Sequence, residues 1–514
     1  MESWGVQSQE VNDRSPPACL STNVSFVFVY GYRYGIVNPV LPVRGEGLEF
    51  RPKSGFNSIL ELRTSPTGFV DDVNLLTYGT SAEGNCRNLE RVHDACEDWA
   101  RRHGSKFNPE KYELLHLTRT PKRFNTEAGI KIGTKEVRPA QDIRILGVRI
   151  DSALKWKAQL RAIEAQTLRM LSALQSITGS TWGYGTGASR LIYVSMIRPT
   201  MVYGASAWYT PEGIKGARKG VVSKLKSLQG KCLRVVAGAY RATSTEALEV
   251  ETHTQPIDIA LEGRVARTML RMGASHARHV IDKETRKIRQ QMRSKRGRQA
   301  RVRKTLGQSK GQWMHQIGKT KAYEKEDQEE RPPWVAQDTP EQRRVNAGYK
   351  SYIHDAQKAI EEEGERKWKE RWKRGTKGQH LRRIAEEPDG KNRMLHAGRA
   401  KAHSALLTQL RTGKIGFNEF LYERRVPGVW NKRCACGHAA MSVRHVLLSC
   451  PRWEREREEE LGDVARDLKE VLGTKHGATA AIRLVLKTGL LEQFKATAQA
   501  KREGSRQGAG EQQG

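Results

Sequence analysis

Four side chains with the chemistry of a zinc site lie within 17 residues near the carboxyl-terminal end of the sequence. They are three cysteines and one histidine, Cys434, Cys436, His445 and Cys450. Three thiolates and one imidazole match tetrahedral structural Zn²⁺, and four protein ligands would close the site to catalysis. His445 is expected to begin a short helix that delivers Cys450 to the same side. His438 is a rival ligand, and scattered reduced cysteines are the alternative to any metal site.

A second candidate is the pair of adjacent carboxylates at Asp71 and Asp72, which stand between two apolar runs. A tight hairpin turn would project both from its tip, and hard oxygen ligands of this kind suit Mg²⁺. Paired Mg²⁺ ions can clamp the attacking and leaving oxygens of a phosphoryl transfer. The alternative is an ordinary turn between two strands, because Asp is a common turn residue.

Hydrophobic periodicity predicts the elements that must position the two aspartates. Residues 68–76 have the pattern of a strand, a tight turn and a second strand, and apolar residues in 82–99 recur at helical steps. Residues 111–117 alternate as a strand does. Residues 143–150 are predicted as one further strand, interrupted at Gly147.

The following segment, 151–272, is predicted to be helical. One of its helices, 191–203, contains Pro199, which should kink or end it. Thr243 and Glu246 fit a capping box for the helix after them.

Composition indicates the kind of partner. The 514 residues include 90 Lys and Arg against 57 Asp and Glu, a net charge of +33 that favours a polyanion, with nucleic acid the first choice and an anionic membrane the weaker one. The basic run 286–310 is expected to be a solvated arm or helix, with contact to nucleic acid as its proposed use. Trp368 and Trp372 predict one packed helix face, with base stacking as the alternative.

The same composition argues against a secreted or membrane-spanning protein. Its most apolar run, 24–43, is broken by Arg33, Asn38 and two prolines, so it does not fit a spanning helix or a secretory signal. Seven cysteines in a chain of this length do not suggest a disulfide scaffold. We therefore expect a location in the nucleus or cytoplasm.

Several motifs occur in an order that resembles the reverse transcriptases of LINE-like, non-LTR retrotransposons. The run 68–76, Gly-Phe-Val-Asp-Asp-Val-Asn-Leu-Leu, looks like motif C. After a predicted helix, the Asn-Pro-Glu-Lys step at 108–111 matches motif D, and the Leu-Gly step at 146–147 matches the turn that supports the primer. The resemblance extends to about residue 272, and with the Cys/His cluster it covers over half the chain.

This resemblance implies RNA-directed DNA polymerisation with Mg²⁺, on RNA and DNA. It makes Asp71 a Mg²⁺ ligand, with Asp72 its neighbour in the metal site, and it places Phe69 near the primer end. Lys111 would assist the departure of pyrophosphate, unless it is a plain surface lysine. Gly147 would let the primer-gripping turn approach the backbone closely, unless it marks a simple bulge.

The Cys/His cluster resembles the carboxyl-terminal knuckle of the same class, which holds nucleic acid. Three basic residues nearby, Arg411, Lys414 and Lys432, would support that role. Arg433 and Arg444, beside the ligands, are expected to help keep the thiolates deprotonated.

The sequence also departs from the class. No aspartate with the apolar context of the third catalytic carboxylate precedes Asp71, and the Pro-Gln-Gly-Ser segment is missing. The fingers, the endonuclease and the start of an RNase H domain are missing as well. We therefore expect a truncated or decayed copy, inactive as an enzyme. The alternative is a non-catalytic nucleic-acid-binding protein that uses its basic arm and zinc module.

The predicted fold class is α+β, with a partial reverse-transcriptase palm of a hairpin plus helices. The predicted divisions are 1–60, unassigned and poorly patterned; 61–150, the partial palm; 151–272, a helical thumb or connection region; 273–390, a basic and charged linker, largely helical or disordered; 391–462, a zinc-knuckle-like module; and 463–514, a helix and then a disordered tail.

Overall fold

The computed structural model describes the following parts of the chain: 23–33, 64–69, 72–79, 81–102, 105–118, 121–211, 219–273, 340–462 and 467–495. Asp71 and the basic run 286–310 lie outside these residues. The chain divides into two units, Met1–Ala162 with Met272–Gln299 and Ile163–Arg271 with Ala300–Gly514.

An antiparallel sheet forms the centre of the first unit. Its strands are β1 (Asn23–Arg33), β2 (Thr64–Phe69), β3 (Asp72–Gly79), β4 (Ser105–Phe107) and β5 (Glu113–Leu117). The order is β2-β3-β1, and both β4 and β5 pair with the other edge of β1. Valine, phenylalanine and tyrosine favour the extended backbone of β1. A segment of the poorly patterned 1–60 region is therefore the central strand.

Helix α1 (Ala82–Arg102) covers one face of this sheet, as its apolar spacing predicts. Its buried side chains recur every three or four residues along one face, at Cys86, Leu89, Val92, Cys96 and Ala100. They pack against Leu75 of β3 and Leu114 of β5. The helix therefore fixes the strand that follows the Phe69–Asp72 connection.

The strand predicted at 111–117 begins two residues later than expected. Pro109–Lys111 forms a 3₁₀ turn capped by Asn108, whose side chain accepts a hydrogen bond from the Glu110 N–H at 3.0 Å. All four residues from Leu114 to Leu117 are buried, so burial does not alternate. The reason is that β5 has core on both faces: Leu114 belongs to one apolar cluster and Leu115 to another.

Two short hairpins complete the first unit, β6 (Ile130–Ile132) with β7 (Lys135–Val137), and β8 (Asp142–Ile145) with β9 (Val148–Asp151). The single strand predicted at 143–150 is wrong, because the chain reverses between β8 and β9. Leu146 and Gly147 form that turn with φ angles of +44° and +84°. A two-residue hairpin loop of this kind needs positive φ at both positions, which glycine adopts without strain.

Helices make up the first part of the second unit. They are α2 (Lys157–Gln175, which begins in the first unit), α3 (Thr186–Ile192), α4 (Arg198–Val202), α5 (Ala205–Trp208), α6 (Lys219–Ala237), α7 (Thr245–Glu251) and α8 (Ile257–Gly273). A π turn, Tyr193–Ile197, joins α3 to α4. Pro199 lies just after this turn and the helix continues to Val202, so the predicted proline irregularity takes the form of a π turn.

The capping box predicted at Thr243 and Glu246 does not form, because the N-cap of the helix lies one residue later. Ser244 is the N-cap of α7, and its hydroxyl accepts a hydrogen bond from the Ala247 N–H at 3.3 Å. The Thr243 hydroxyl is buried and has no hydrogen-bond partner among the described residues. Either residue type can cap a helix, so composition alone could not distinguish them.

Further helices follow along the chain: α9 (Pro340–Arg374), α10 (Gln379–Arg382), α11 (Gly390–Met394), α12 (Lys401–Thr412), α13 (Asn418–Glu423), α14 (Val443–Leu448), α15 (Glu454–Leu461), α16 (Leu468–Gly473) and α17 (Lys475–Lys487). One apolar core runs from Ile384 to Phe494 and includes buried residues of α12, α14, α16 and α17. The core therefore continues past residue 462, where the sequence predicted a boundary.

Packing of the α9 tryptophans confirms the interpretation favoured from the sequence. Trp368 and Trp372 are buried against Ala247, Val250 and Ile259, and the Trp372 indole N–H donates to the Ala385 carbonyl at 2.9 Å. This part of the expected linker thus belongs to the packed fold. No helix within the described residues is long and apolar enough to cross a membrane.

Candidate metal centre

The structure brings the four predicted zinc ligands together. One donor atom from each of Cys434, Cys436, His445 and Cys450 can be chosen so that all lie within 4.8 Å of one another. The Sγ atoms of Cys434 and Cys450 are 3.8 Å apart, and Cys436 Sγ is 3.2 Å from His445 Nε2. A tetrahedron with metal–sulfur bonds near 2.3 Å has edges of roughly 3.8 Å, so the donor set and its spacing fit Zn²⁺.

A tight turn presents the first two ligands. The Gly437 N–H donates to the Cys434 carbonyl at 2.9 Å, and the Cys434 N–H donates to the His438 carbonyl at 3.0 Å. Gly437 has a φ of +94°, a conformation that a side chain would strain. This turn places Cys434 and Cys436 on the same side of the backbone.

Helix α14 carries His445 and leads the chain to Cys450, two residues beyond its end, as predicted, but it begins at Val443 and not at His445. Its N-cap is Ser442, whose hydroxyl accepts a hydrogen bond from the His445 N–H at 3.2 Å. The Cys450 N–H donates to the His445 carbonyl at 2.8 Å, which holds the two ligands in register. The Ser449 hydroxyl lies 3.4 Å from His445 Nδ1, so the second ring nitrogen has a partner of the kind that orients metal-bound histidines.

The rival ligand His438 does not join the cluster. Its ring stacks on that of His445 with centroids 4.1 Å apart, and its Nδ1 accepts a hydrogen bond from the Ala440 N–H at 3.3 Å. His438 is exposed, whereas His445 is buried. The geometry therefore favours His445 over His438 as the fourth donor.

Backbone groups and burial set the proton affinity of the donors. A hydrogen bond from the His438 backbone is the leading reason that the pKa of the Cys436 thiol is lowered. Burial raises the pKa of Cys450 to about 11 and lowers that of His445. Arg433 and Arg444 were expected to lower the thiol pKa, but both are exposed and the backbone provides the leading effect.

One of the basic residues expected to support nucleic-acid binding near the cluster lies in the interior. Arg411 is completely buried, where its guanidinium contacts both carboxylate oxygens of Glu251 at 2.8 and 2.9 Å. It is therefore a structural residue and cannot contact a phosphate. The sequence could not predict this burial, because the carboxylate that pairs with Arg411 is 160 residues away.

Sequence reasoning also missed an exposed aromatic residue beside the metal cluster. Trp430 is 88% exposed. The ten residues 424–433 around it contain four basic and no acidic side chains, Arg424, Arg425, Lys432 and Arg433, all of them exposed. A tryptophan next to a Pro-Gly turn and between basic pairs is the signal that could have identified this surface.

The candidate Mg²⁺ site can be described only in part. Strands β2 and β3 form an antiparallel hairpin in which Phe69 pairs with Asp72. Two residues, Val70 and Asp71, lie between the strands and outside the described residues. The two strands predicted within 68–76 are therefore present and paired with each other, while the turn between them lies outside the described residues.

The strand beside this hairpin has no carboxylate. In β1, Tyr30 pairs with Asp72 and Val29 with Val73, and no residue of Asn23–Arg33 is acidic. Glu113 of β5 pairs with Phe28, on the far side of β1. Two strand spacings put its backbone roughly 10 Å from β3, too far for a shared metal ion.

The two remaining polymerase candidates have clear positions. Lys111 is exposed at the end of the 3₁₀ turn before β5. Gly147 occupies the second position of the β8–β9 turn, so its positive φ comes from a hairpin and not from a bulge.

Comparison with known proteins identifies the relatives of this chain. A Pol polyprotein from the type-1 retrotransposable element R1 4 of Nasonia vitripennis is 32% identical over 144 residues, 28% of this chain and 35% of that protein. A Pol polyprotein from R1 3 of the same species is 24% identical over 202 residues, 37% of this chain and 51% of the relative. The chain is a relative of R1 retrotransposon proteins. The resemblance to the LINE-like, non-LTR class is thereby confirmed.

The R1 similarity is partial on both sides. An R1 Pol polyprotein of Bradysia coprophila is 21% identical over 210 residues, 40% of this chain and 20% of that relative. The chain thus spans between a fifth and about half of these R1 proteins, and each match covers less of it than the motifs suggested. No protein-family model and no solved structure matches the chain.

Proposed function

We propose that this chain is part of an R1-type RNA-directed DNA polymerase whose catalytic carboxylate set is incomplete, so that it does not polymerise DNA as written. The observation that carries this proposal is the acid-free strand β1, paired to β3 with Tyr30 opposite Asp72. Two-metal phosphoryl transfer needs both cations held at once. Asp71 and Asp72 would supply only part of the Mg²⁺ ligand set, and Lys111 would have no reaction to assist.

Primer extension tests this proposal. The purified chain, given a DNA primer on an RNA template with Mg²⁺ and deoxynucleotides, should add no nucleotide. A variant with Asp71→Ala serves as the matched control, because background from a contaminating polymerase would be the same in both. Extension by the unmodified chain that Asp71→Ala abolishes would contradict the proposal.

We further propose that the chain binds RNA or DNA through the basic surface around the zinc cluster. The supporting observation is the exposed Trp430 among Arg424, Arg425, Lys432 and Arg433. A tryptophan face can stack on an unpaired base while the neighbouring cations contact phosphates. Zn²⁺ held by the Cys/His cluster would supply structural support to the turn at 434–437, directly after this surface.

Binding of a fluorescent single-stranded RNA separates stacking from general attraction. Trp430→Ala should weaken binding about tenfold, since a stacked base contributes about 1–3 kcal/mol. Trp182→Ala is the matched control, because Trp182 is 51% exposed at a distant point in the sequence. Binding should also fall linearly with salt on logarithmic axes. Equal affinities of the two variants would contradict a role for Trp430.

A further inference from the structure

A cavity of about 480 Å³ opens within the second unit, away from the Cys/His cluster in sequence. Residues from α3, α4, α8, α9 and α11 and from the turn after α7 line it. Its volume is in the range of pockets that hold small-molecule ligands. Trp368, one of the two tryptophans on the packed face of α9, contributes to its wall.

Arg190, Arg198 and Arg393 are three of the four arginines in the wall of this cavity. The Arg190 guanidinium donates to the carbonyls of Thr252 and His253, each at 2.6 Å, and Arg198 donates to the Gln255 carbonyl at 2.9 Å. These hydrogen bonds to backbone carbonyls hold the guanidinium groups of Arg190 and Arg198 in place. Each of the two groups still has further N–H donors that can bind a ligand. Arg393 of α11 lines the same cavity and is exposed.

None of the four carboxylates in the cavity wall pairs with these three arginines. Within the described ranges, none of Arg190, Arg198 and Arg393 forms an ion pair. Three of these carboxylates have other partners: Glu262 pairs with Lys367 at 2.7 Å, Glu361 with Arg267 at 3.7 Å and Glu363 with Arg366 at 2.8 Å, whereas Glu365 is exposed. The cavity therefore has three guanidiniums whose charge no carboxylate in its wall offsets by direct contact.

The charges of the other two arginines act on Arg190. Burial, and then the charges of Arg393 and Arg198, lower the pKa of Arg190. The Glu249 carboxyl acts on Arg198, and burial raises the pKa of Glu249 itself to about 8. His253 lines the same cavity, and its Nδ1 is buried without a hydrogen-bond partner among the described residues.

We propose that this cavity is a phosphate-binding site formed by Arg190, Arg198 and Arg393. Guanidinium groups match the geometry of phosphate oxygens and form paired, charge-assisted hydrogen bonds with them. A bound phosphate would offset the repulsion between the three cations, and the His253 ring could donate to it as well. The cavity has room for the nucleotide or the strand end that carries the phosphate. The site stands apart from the proposed nucleic-acid surface, because free inorganic phosphate is expected to occupy it.

Site-resolved arginine modification of the full chain tests the proposal. Phenylglyoxal labelling, followed by peptide mass spectrometry, should slow at Arg393 when inorganic phosphate is added. Arg383, exposed on the loop after α10, is the internal control and should label at an unchanged rate. The same protection of Arg393 is then measured with two pairs of ligands. Protection by adenosine monophosphate but not by adenosine would indicate a free nucleotide as the source of the phosphate. Protection by an oligonucleotide only when it carries a 5′-phosphate would indicate a strand end.

Two variants of α11 complete the test. Arg393→Gln should raise the phosphate concentration needed for thermal stabilisation about tenfold, as expected for loss of a charge-assisted bond. Lys391→Gln, on the same helix but outside the cavity wall, should leave that concentration unchanged. Both substitutions are at exposed side chains, so folding should survive. Equal protection of Arg393 and Arg383, no protection, or equal behaviour of the two variants would overturn the proposal.

Discussion

Replacement of Arg411 by methionine should destabilise the second unit by about 3–5 kcal/mol, because it leaves a buried carboxylate without its main partner. Arg411 and Glu251 are both completely inaccessible to solvent. Besides Glu251, the guanidinium donates to the Asn392 side chain at 2.6 Å and to the Leu472 carbonyl. His396 Nε2 lies 2.9 Å from Glu251 Oε1 and would be the one remaining partner of the carboxylate among these residues.

The magnitude can be refined with a second substitution. Glu251→Gln removes the charge that Arg411→Met leaves unpaired, so the double variant should be less destabilised than the sum of the single variants by about 1–3 kcal/mol. Some loss should persist, because Asn392 and the Leu472 carbonyl still lack their donor.

Hydrogen exchange measured by mass spectrometry is the suitable assay, since it reports the opening of individual helices in a chain of several units. Peptides from α7 and α12 should exchange roughly a hundred to a few thousand times faster in Arg411→Met. Peptides from α1, in the other unit, are the internal control. Additive single effects, or a change below about tenfold in both helices, would refute the reasoning.

Acidity should weaken the same network. Burial alone would raise the pKa of Glu251, but Arg411 and His396 hold it below the usual value. A carboxyl with a lowered folded pKa stabilises the fold fully above its unfolded pKa, roughly 4.3, and the contribution is lost as pH falls below that value. In the unmodified protein, hydrogen exchange in α7 should therefore speed up, relative to the intrinsic exchange rate, as pH falls below this value. In Arg411→Met this acceleration should be smaller.

Three further predictions concern the metal cluster, the β8–β9 turn and the α7 cap. The purified chain should contain one Zn²⁺ by elemental analysis, less at low pH because the ligands must be deprotonated; Cys450→Ser should lose it and Cys232→Ser, at a buried cysteine outside the cluster, should keep it. Gly147→Ala should cost about 1–2 kcal/mol in urea unfolding, because its φ is +84°; no loss would contradict the turn geometry. Ser244→Ala should cost about 1 kcal/mol, whereas Thr243→Val should cost little, since only Ser244 caps α7; equal costs would restore the predicted capping box.

Local patterns predicted the elements that local forces determine. The apolar spacing of 82–99 fixed a helix because one face must be buried, and the Cys/His cluster was predictable because few donor sets bind Zn²⁺. The sequence did not distinguish between neighbouring residues of similar type, since Thr243 was predicted as the N-cap and Ser244 is the N-cap. Two adjacent positive φ angles at Leu146 and Gly147 turned one predicted strand into a hairpin, and only the glycine was visible as a signal.

Long-range pairing could not be predicted in the same way. Strand β1 is central because both of its edges find partners, β3 on one side and β4 and β5 on the other. The contact of Arg411 with Glu251 joins residues 160 positions apart, and no periodicity reveals it. The arginine cavity is likewise assembled from helices that are distant in sequence.

The long-range contacts change what zinc is expected to do. A zinc module of this size would usually need its metal in order to fold. Here, however, α14 buries Val446 and Leu447 in the core that runs from Ile384 to Phe494. His445 is therefore held by a helix that has apolar support of its own, and Cys450, just after this helix, is buried in the same core. The turn that carries Cys434 and Cys436 is mostly exposed. Zinc removal should therefore loosen this turn and the adjoining Trp430 surface, while the helical core stays folded.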